Sequence, residues 1–367
     1  MRPSWVEVDL DAITHNAAAI AAEVAPATLC AVVKADGYGH GDVPVAEAAI
    51  RGGATSLAVA LVEEGVRLRD ADIDAPILIL SEPPLEDAQT IVSRRLIPTV
   101  YRQEFAAALS AAAEAPVPVH IKVNTGMHRV GAEPADVPKL VEFVAADPNL
   151  ELEGLWTHFA VAEEDEAFTK GQLDAFQAVV DGLAALGVVV PMLHAANTAG
   201  ALDYPGARFD MVRVGLGLYG LRPAPTTAPA VALRPAMRVV SAVSMVKRLA
   251  AGERPSYGRR RALPADSVIA TVPVGYADGV SRRLTDEGHV LIGGKSRPFA
   301  GSVTMDQLVV DMGDDVAAVG DEAVVLGTQG DAAITAEDWA DLLGTINYEV
   351  VCHFGPRLPR RYIRAGR

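Results

Sequence analysis

Short apolar runs alternate with alanine-rich amphipathic segments along the N-terminal part of the chain. The runs that have the length and composition of buried strands are Leu29–Val33, Ser56–Ala60, Ile77–Leu80, Ile97–Val100, Val117–Val123, Leu152–Thr157, Met192–Ala195 and Met211–Val214. The segments between them that have helical spacing include Val43–Arg51, Glu63–Arg69, Gln103–Ala113, Val137–Ala146 and Lys170–Leu186. Strand–helix alternation repeated about eight times predicts an α/β fold with a TIM-like (β/α)8 barrel. An open doubly wound sheet is the alternative, but no Gly-x-Gly-x-x-Gly segment is followed by the acidic residue that dinucleotide binding uses.

The sequence changes character at Arg222–Pro229, a proline-rich stretch that indicates a linker. Beyond it, the predicted strands are Met237–Leu249, Val268–Val274, His289–Ile292, Gln307–Met312 and Glu322–Leu326. One helix is predicted there, over Thr335–Leu343, with Thr335 as N-cap and Asp338 at N3. Near the N-terminus, Trp5–Leu10 predicts a strand and Asp11–Ala25 a helix. We therefore expect a barrel over residues 1–228 and a mostly antiparallel β domain over residues 229–367.

The charge and composition restrict the classes of partner. A net charge of −15 and a pI near 5.0 argue against nucleic acid or an anionic membrane as the main partner. Cys30 and Cys352 are far apart and indicate no disulfide framework. The N-terminus lacks the apolar segment of a signal peptide, and the apolar stretch Gly182–Ala207 is interrupted by Pro191 and polar residues. We expect a cytoplasmic protein that acts on a small molecule, and we predict no metal site.

The first barrel strand leads directly into Lys34, which precedes a segment with three glycines in five residues, 37–41. Desolvation beside an apolar strand favours the neutral, nucleophilic form of an amine, and a neutral amine forms a Schiff base with an aldehyde. Tyr38 lies among glycines that let the backbone approach a ligand closely. From these residues alone, a lysine that extends its amine into solvent at a strand end is an equally good interpretation.

Four further polar side chains stand at or just past predicted strand ends, namely Lys122, His158, Asn197 and Arg213. In a barrel these strand ends share one face, where catalytic groups gather. His158 taken alone is more often a hydrogen-bonded core histidine. The repeated coincidence with strand ends nevertheless favours an active site on that face.

Residues 32–41, VVKADGYGHG, resemble the pyridoxal-phosphate attachment site of the alanine racemases. The resemblance implies pyridoxal phosphate as the cofactor, with Lys34 as its attachment point and Tyr38 among the residues that bind it. Further segments similar to that family follow in the family's order between Trp5 and Tyr362.

A second segment, residues 122–129, KVNTGMHR, is similar to the family motif Lys-Val-Asp-Thr-Gly-Met-x-Arg. The resemblance implies that Arg129 contacts the substrate carboxylate, which a guanidinium fork suits. It also implies a carbamate on Lys122 that orients this arginine. The chain departs from the motif at Asn124, where aspartate is usual, and at His128, where a small residue is common.

Two segments resemble the parts of the family that surround the ring and the phosphate. Residues 154–160, GLWTHFA, imply that His158 lies near the pyridine ring. Residues 195–200, AANTAG, imply cofactor-binding roles for Asn197 and Thr198. Thr198 replaces the usual serine and keeps the hydroxyl that binds phosphate.

The segment 210–220, DMVRVGLGLYG, is the most specific for the family. It implies that Arg213 donates to the pyridine nitrogen, and that Gly215, Leu216 and Gly217 offer backbone N–H groups to the phosphate. An arginine keeps its proton, so the nitrogen stays unprotonated. This weaker electron sink favours reversible proton transfer over the decarboxylation that related barrel enzymes perform with a carboxylate there.

The C-terminal segments resemble the second domain of the same family. Residues 255–259, PSYGR, imply that Tyr257 is the second catalytic base, although a Tyr-Gly pair alone is more often a turn. Nearby cations would lower a tyrosine pKa from its usual value of about 10. Residues 301–307, GSVTMDQ, imply that Met305 contacts the substrate, and residues 346–350, INYEV, imply that Tyr348 contacts the phosphate. Tyr276 and Asp306 fall at supporting positions.

Together the segments imply an alanine racemase that interconverts L- and D-alanine with two bases and supplies D-alanine for peptidoglycan. They also imply a homodimer in which Tyr257 and Met305 enter the partner's barrel. A racemase of broader specificity, another barrel-type pyridoxal-phosphate enzyme such as a decarboxylase, and a non-catalytic carrier of the cofactor are the alternatives. Arg213 disfavours the decarboxylase, and the second domain disfavours the carrier.

Overall fold

The computed structural model describes residues 2–223 and 231–364. Its chain divides into two compact units. The barrel unit comprises residues 12–37 and 42–234, and the β unit comprises residues 1–11, 38–41 and 235–367. The strands, in chain order, are β1 (Ser4–Asp9), β2 (Thr28–Val32), β3 (Ser56–Val59), β4 (Ile77–Ile79), β5 (Ile97–Val100), β6 (Val117–Lys122), β7 (Leu150–Trp156), β8 (Met192–His194), β9 (Met211–Val214), β10 (Met237–Ala242), β11 (Met245–Leu249), β12 (Ser267–Val272), β13 (His289–Ile292), β14 (Lys295–Pro298), β15 (Leu308–Asp311), β16 (Glu322–Gln329), β17 (Ala332–Ile334) and β18 (Arg360–Ile363).

The barrel unit contains eight parallel strands in the order β8-β7-β6-β5-β4-β3-β2-β9. Two backbone hydrogen bonds join the strands at the ends of this order, from Asp210 N to Leu193 O at 3.1 Å and from Arg213 N to Ala196 O at 2.9 Å. The sheet therefore closes on itself, and the predicted (β/α)8 architecture is confirmed. Its apolar strands are buried on both faces, as parallel strands covered by helices must be.

Helices cover the outside of this barrel. They are Leu10–Val24, Asp42–Arg51, Val62–Asp70, Ala88–Ser93, Gln103–Ala112, Val137–Ala146, Glu166–Ala185 and Thr198–Asp203. In the helix Val137–Ala146 the buried residues are Val137, Leu140, Val141 and Val144, a spacing that places them on one face. The bounds of this helix were predicted correctly. The helices Ala88–Ser93 and Thr198–Asp203 were not predicted, because six residues are too few to show a helical period.

The β unit holds two sheets. One has the order β14-β13-β16-β10-β1-β18 with β17 against β16, and the other has the order β11-β12-β15. Every pair is antiparallel except β1 with β18. A small core cluster in this unit consists of Leu263, Ile269 and Ala300. The predicted antiparallel character of this region is confirmed.

Strand β1 groups with the β unit, whereas the sequence placed it with the barrel. It pairs with β10 and β18, which lie more than 200 residues further along the chain, and such pairing cannot be read from a local pattern. The expected domain boundary between residues 228 and 229 lies outside the described residues and stays a prediction. The same holds for most of the expected linker Arg222–Pro229, of which only the first two residues are described.

The prediction of a single strand over Met237–Leu249 is wrong. The chain forms β10 and then β11, in different sheets. Between them Val243 N donates to Asp321 O and Ser244 N donates to Thr271 O, both at 2.8 Å, so the backbone changes partner at this point. A continuous apolar pattern does not reveal such a change of sheet.

The helix Ala336–Leu343 begins as predicted. The Thr335 hydroxyl accepts from Asp338 N at 3.0 Å, and Asp338 Oδ2 accepts from Thr335 N at 2.7 Å, which completes a capping box. A second helix, Asn347–Cys352, was not predicted. Over residues 2–223 and 231–364, none of the helices combines the length and the apolar character that crossing a membrane requires.

Candidate active site

The polar residues predicted at strand ends lie at one edge of the barrel unit. Lys34 follows the end of β2, and Lys122 is the last residue of β6. His158 follows β7, and Asn197 follows β8. Arg213 lies within β9. Because all eight strands are parallel, their C-terminal ends share this edge.

Lys34 begins a left-handed turn. Ala35, Asp36 and Gly37 have φ values of 52°, 53° and 59°, and the turn is closed by Gly37 N, which donates to Val33 O at 3.0 Å. A left-handed conformation costs about 1–2 kcal/mol for each residue that has a Cβ atom. Two of the three residues carry that cost, so surrounding contacts must hold the turn, as is common where a fold positions a reactive group.

The Arg213 side chain is buried, at 3% exposure. Its NH1 group donates to His194 Nδ1 at 2.7 Å, and its NH2 group donates to the carbonyls of Thr157 at 2.8 Å and Ala195 at 2.9 Å. NH2 also lies 3.3 Å from His158 Nδ1. Burial lowers the pKa of Arg213 to about 10, so the guanidinium remains protonated near neutral pH. All four acceptors are uncharged groups, so these contacts leave the positive charge without a counterion.

A chain of hydrogen bonds continues from Arg213 through two histidines. Because a guanidinium only donates, His194 Nδ1 must accept, and a neutral His194 then carries its proton on Nε2. Burial first, and then the charge of Arg213, hold the pKa of His194 well below its usual value. Nε2 lies 2.8 Å from His120 Nδ1, and His120 Nε2 lies 3.1 Å from Glu153 Oε2. Each group in this chain therefore donates to the next one: Arg213 donates to His194, His194 to His120, and His120 to the carboxylate of Glu153.

Two neighbours shape the space around these groups. A Cβ atom at Gly154 would lie 2.5 Å from His120 Nδ1, so only glycine leaves room for this imidazole beside β7. The Trp156 ring has the Lys122 amine 4.3 Å from its centroid and the Arg213 guanidinium carbon 4.4 Å from it. It also stacks on His194 at 5.5 Å and 12°. The indole thus contacts both buried cations and stabilises each by its π electrons.

Lys122 is a buried lysine in a positively charged environment. Its residue exposure is 3%, and burial, followed by the charges of Arg213, Arg129 and Lys34, lowers its pKa to about 7. The pKa of His158 is held well below its usual value, by burial first and then by the same group of cations. The His158 imidazole is therefore uncharged at neutral pH, and the Lys122 amine is largely deprotonated by pH 8.

The segment after Lys122 shows how the two departures from the family motif are accommodated. Asn124 Oδ1 accepts from His128 N at 2.9 Å, and Asn124 Nδ2 lies 3.0 Å from His128 Nδ1. Asn124 Nδ2 also donates to Glu133 Oε1 at 2.7 Å. An aspartate at 124 could not donate to Glu133, whereas the asparagine amide does. Arg129 follows this turn and is exposed.

Asn197 and Thr198 lie at the start of the helix Thr198–Asp203. Asn197 Oδ1 accepts from Gly200 N at 2.9 Å and caps this helix. Thr198 is buried, and its hydroxyl lies 3.4 Å from Gly217 N. The Gly217 N–H, which the family resemblance assigns to the phosphate, therefore also points towards this hydroxyl. Gly215 and Leu216 complete the loop that follows β9.

In the β unit, Tyr257 stands on a loop that is held in place by a second loop, residues 301–306. Ser256 Oγ donates to Ser302 O and Ser302 Oγ donates to Tyr257 O, both at 2.7 Å. A Cβ atom at Gly301 would overlap the Pro255 carbonyl, so this close approach requires glycine. The backbone of Tyr257 is thus fixed while its side chain is 74% exposed.

The second loop also holds the segment that contains Tyr276. Tyr276 N donates to Thr304 O at 2.9 Å, and Ala277 N donates to Met305 O at 3.1 Å. Met305 and Tyr276 present exposed side chains. Asp306 Oδ1 accepts from Arg357 at 2.6 Å. The loop 301–306 therefore connects Tyr257, Tyr276 and Met305, which are far apart in sequence.

Tyr38 and Tyr348 also contact each other within the β unit. Their ring centroids lie 6.4 Å apart at an interplanar angle of 42°. Burial raises the pKa of Tyr38 well above its usual value, so its phenol stays protonated. The sequence assigned both tyrosines to cofactor binding, and their proximity is consistent with one shared wall.

Sequence reasoning missed His120, His194, Trp156 and Glu153. One signal for the first was available, because His120 and Lys122 are two residues apart on one strand and so point to the same side. The contacts with His194 and Trp156 depend on the register of three neighbouring strands, which a single sequence does not give.

Comparisons with known proteins match most of the chain. A family model described as "Alanine racemase, N-terminal domain" matches residues 8–223, and one described as "Alanine racemase, C-terminal domain" matches residues 236–362. The chain belongs to the alanine racemase family. Members of the alanine racemase family are isomerases that act as amino-acid racemases, so the predicted family and enzyme class are confirmed.

Individual members of the alanine racemase family match over almost their full length. The alanine racemase of Symbiobacterium thermophilum is 45% identical, with 99% of this chain and 97% of that protein covered. The structure of alanine racemase from E. faecalis matches with a TM-score of 0.94 and 40% identity, covering 99% of this chain and 98% of that one. The structure of alanine racemase from Bacillus anthracis with bound L-Ala-P matches with a TM-score of 0.93 and 37% identity, covering 100% and 96%.

Proposed function

We propose that the protein is a pyridoxal-phosphate-dependent homodimeric enzyme that interconverts L- and D-alanine in the cytoplasm and supplies D-alanine for peptidoglycan. The observation that carries the proposal is the buried guanidinium of Arg213 on the edge of the barrel, with acceptors that are all uncharged. Membership of the alanine racemase family supports the same reaction.

The donor set fits pyridoxal phosphate. Arg213, Lys122, Lys34 and Arg129 create a positive potential that lowers the pKa of the groups among them, although the whole chain has a net charge of −15. A buried positive charge without a counterion is costly, and an anionic ligand would offset that cost. The site therefore favours a ligand that brings a phosphate, together with a substrate that brings a carboxylate.

Each cofactor-binding residue would then act on one part of the ligand. The Lys34 amine would bind the aldehyde, and Arg213 would donate to the ring nitrogen. His158, Tyr38 and Asn197 would line the ring. The phosphate would be held by the Thr198 hydroxyl, the Tyr348 phenol and the backbone N–H groups at Gly215 and Leu216. The bound cofactor supplies electron withdrawal that acidifies the α-proton of the amino acid.

Two bases would move the proton. The Lys34 amine would take or return it on the D-alanine side, and the Tyr257 phenolate would do so on the L-alanine side. Arg129 would hold the substrate carboxylate, and Met305 would contact the substrate. Tyr276 and Asp306 would support the same loops. Each positioned acid or base contributes about 10²- to 10⁴-fold to the rate.

The surface of the β unit supports a homodimer. Tyr257 is 74% exposed and Met305 is 52% exposed, and Ile346 is exposed as well. Large apolar side chains that are fixed by their backbone but uncovered are typical of an interface. A second copy of the chain would cover them and bring Tyr257 and Met305 to its own barrel edge.

Incubation of the purified protein with L-alanine tests the proposed reaction. We expect L- and D-alanine in equal amounts at equilibrium, because enantiomers have equal free energies in water. Chiral chromatography measures both, and protein treated with borohydride is the control. Serine, lysine and arginine tested alongside alanine distinguish a broader racemase. Release of carbon dioxide without D-alanine would instead indicate a decarboxylase and contradict the proposal.

Lys122 is expected to react with carbon dioxide. The neutral amine adds to the carbon, forms an N–C bond and releases one proton, so a carbamate with a negative charge replaces a buried cation. Because the pKa of Lys122 is about 7, the reactive form predominates at pH 8 and declines towards pH 6. We expect a carbamate signal in the ¹³C NMR spectrum with labelled bicarbonate at pH 8, weaker at pH 6.

Two variants assign this signal. In Lys122→Arg the signal should be absent, whereas in Lys139→Arg, which changes an exposed lysine, it should persist. An undiminished signal in Lys122→Arg would contradict the assignment.

A further inference from the structure

We propose that Glu64 is a positioning residue whose buried carboxylate holds the left-handed turn after β2 and thereby sets the direction of the Lys34 side chain. The inference rests on the proposed function only in taking Lys34 as the residue that binds the aldehyde of pyridoxal phosphate. The geometry of the turn itself is independent of that assumption.

The Glu64 carboxylate connects two strand ends. Glu64 is 6% exposed and lies in the first turn of the helix Val62–Asp70, which follows β3. Its Oε1 atom accepts from Ala35 N at 2.7 Å. Its Oε2 atom accepts from Ala60 N at 2.8 Å and from Leu61 N at 3.1 Å. One planar group thus joins the turn after β2 to the loop after β3, and these two strands are neighbours in the barrel.

Capping of its own helix explains the contacts of Oε2 but not the contact of Oε1 with Ala35 N. The capping box at Thr335 and Asp338 offers a comparison, because Asp338 uses a single carboxylate oxygen on its own N-cap backbone and is exposed. Glu64 serves its own N-cap with Oε2 and places Oε1 on a segment 29 residues earlier. The burial and the second contact set Glu64 apart from an ordinary capping residue.

The contact falls on the peptide group that decides the direction of Lys34. The Ala35 N–H belongs to the same planar unit as the Lys34 carbonyl, so holding it fixes the backbone rotation next to the Lys34 Cα atom. The following residues, Ala35 and Asp36, both adopt the left-handed conformation that residues with a Cβ atom avoid. Without the carboxylate, this turn is expected to relax and the amine to lose its fixed direction.

Glu64→Gln tests the role, because the glutamine amide can accept through only one atom and must turn its NH₂ group towards N–H donors. In the full chain saturated with pyridoxal phosphate, we expect the Ala35 amide to exchange hydrogen about 10- to 100-fold faster than in the wild type, the scale of losing a hydrogen bond to a carboxylate. We also expect pyridoxal phosphate to dissociate at least about 10-fold faster, and kcat to fall with little change in KM for alanine.

Two matched controls isolate the contact. Glu63→Gln removes a charge from the same helix turn at an exposed position, and Asp338→Asn removes a capping-box carboxylate that serves only its own helix. Both should keep wild-type exchange at Ala35 and wild-type cofactor dissociation. Glu64→Asp, which shortens the side chain, should give intermediate rates of exchange at Ala35 and of cofactor dissociation. If Glu64→Gln does not fold, these two rates in Glu64→Asp test the role of Glu64 instead.

The two proposals fail in different ways. If Glu64→Gln matches the controls in exchange at Ala35 and in cofactor dissociation, the role of Glu64 is overturned. If the wild type binds no pyridoxal phosphate at Lys34, the proposed function is overturned, while the exchange measurement still decides whether Glu64 holds the turn.

Discussion

Replacing Lys34 with alanine is expected to slow alanine racemisation by at least about 10³-fold. The variant lacks the amine that we propose both binds the aldehyde and serves as the base on the D-alanine side. The other cations of the site cannot substitute, because Lys122 is packed against Trp156 and Arg213 keeps its proton. Initial rates in both directions, measured by chiral chromatography on protein of unchanged thermal stability, check this expectation.

A matched control and a rescue experiment sharpen the test of Lys34. Lys139→Ala removes an exposed lysine from the helix Val137–Ala146 and should leave the rate unchanged. Added methylamine should restore part of the activity of Lys34→Ala by supplying the missing amine. A Lys34→Ala variant that retains a tenth or more of the wild-type rate, about 1.4 kcal/mol of barrier, would refute its role.

Tyr257→Phe is expected to slow racemisation by about 10²- to 10⁴-fold while pyridoxal phosphate stays bound. The change removes one hydroxyl from an exposed side chain whose loop is held by backbone contacts, so the fold should not change. In deuterated water, D-alanine should still exchange its α-proton through Lys34, whereas exchange from L-alanine should be lost. Mass spectrometry of each enantiomer measures this asymmetry.

Tyr204→Phe is the control, since it removes a tyrosine hydroxyl from the barrel unit outside the proposed site, and it should remain active. Equal loss of exchange from both enantiomers in Tyr257→Phe would show that this phenol is not a base specific to one side.

Mixing Tyr257→Phe with Lys34→Ala then tests whether sites are shared. Heterodimers would each contain one complete site, so about a quarter of wild-type activity should return. No recovery after confirmed subunit exchange would contradict the homodimer.

The sequence alone was sufficient to predict the barrel, because the patterns that identify its strands and helices are local. Buried strands and amphipathic helices each show their period within about ten residues, as the helix Val137–Ala146 illustrates. The positions of Lys34, Lys122 and Arg213 at one edge followed from parallel pairing alone. The roles proposed for Tyr257 and Met305 came from the family resemblance, since a Tyr-Gly pair carries no such information by itself.

The features that the sequence did not reveal depend on distant contacts. The bond between His120 and His194 joins residues 74 positions apart and requires the register of β6, β7 and β8. The turn at Lys34 contains Ala35, which has no preference for a left-handed conformation, and its partner Glu64 lies on another element. Strand β1 was placed in the wrong unit for the same reason, because its partners are β10 and β18.

Borohydride reduction followed by mass-spectrometric peptide mapping tests most directly where the cofactor binds. Reduction makes the bond between the aldehyde carbon and the lysine nitrogen permanent, so the modified residue can be identified. We expect a pyridoxyl group on the peptide that contains Lys34 and on no other lysine. A pyridoxyl group on a different lysine, or an active protein that yields no modified peptide, would contradict it.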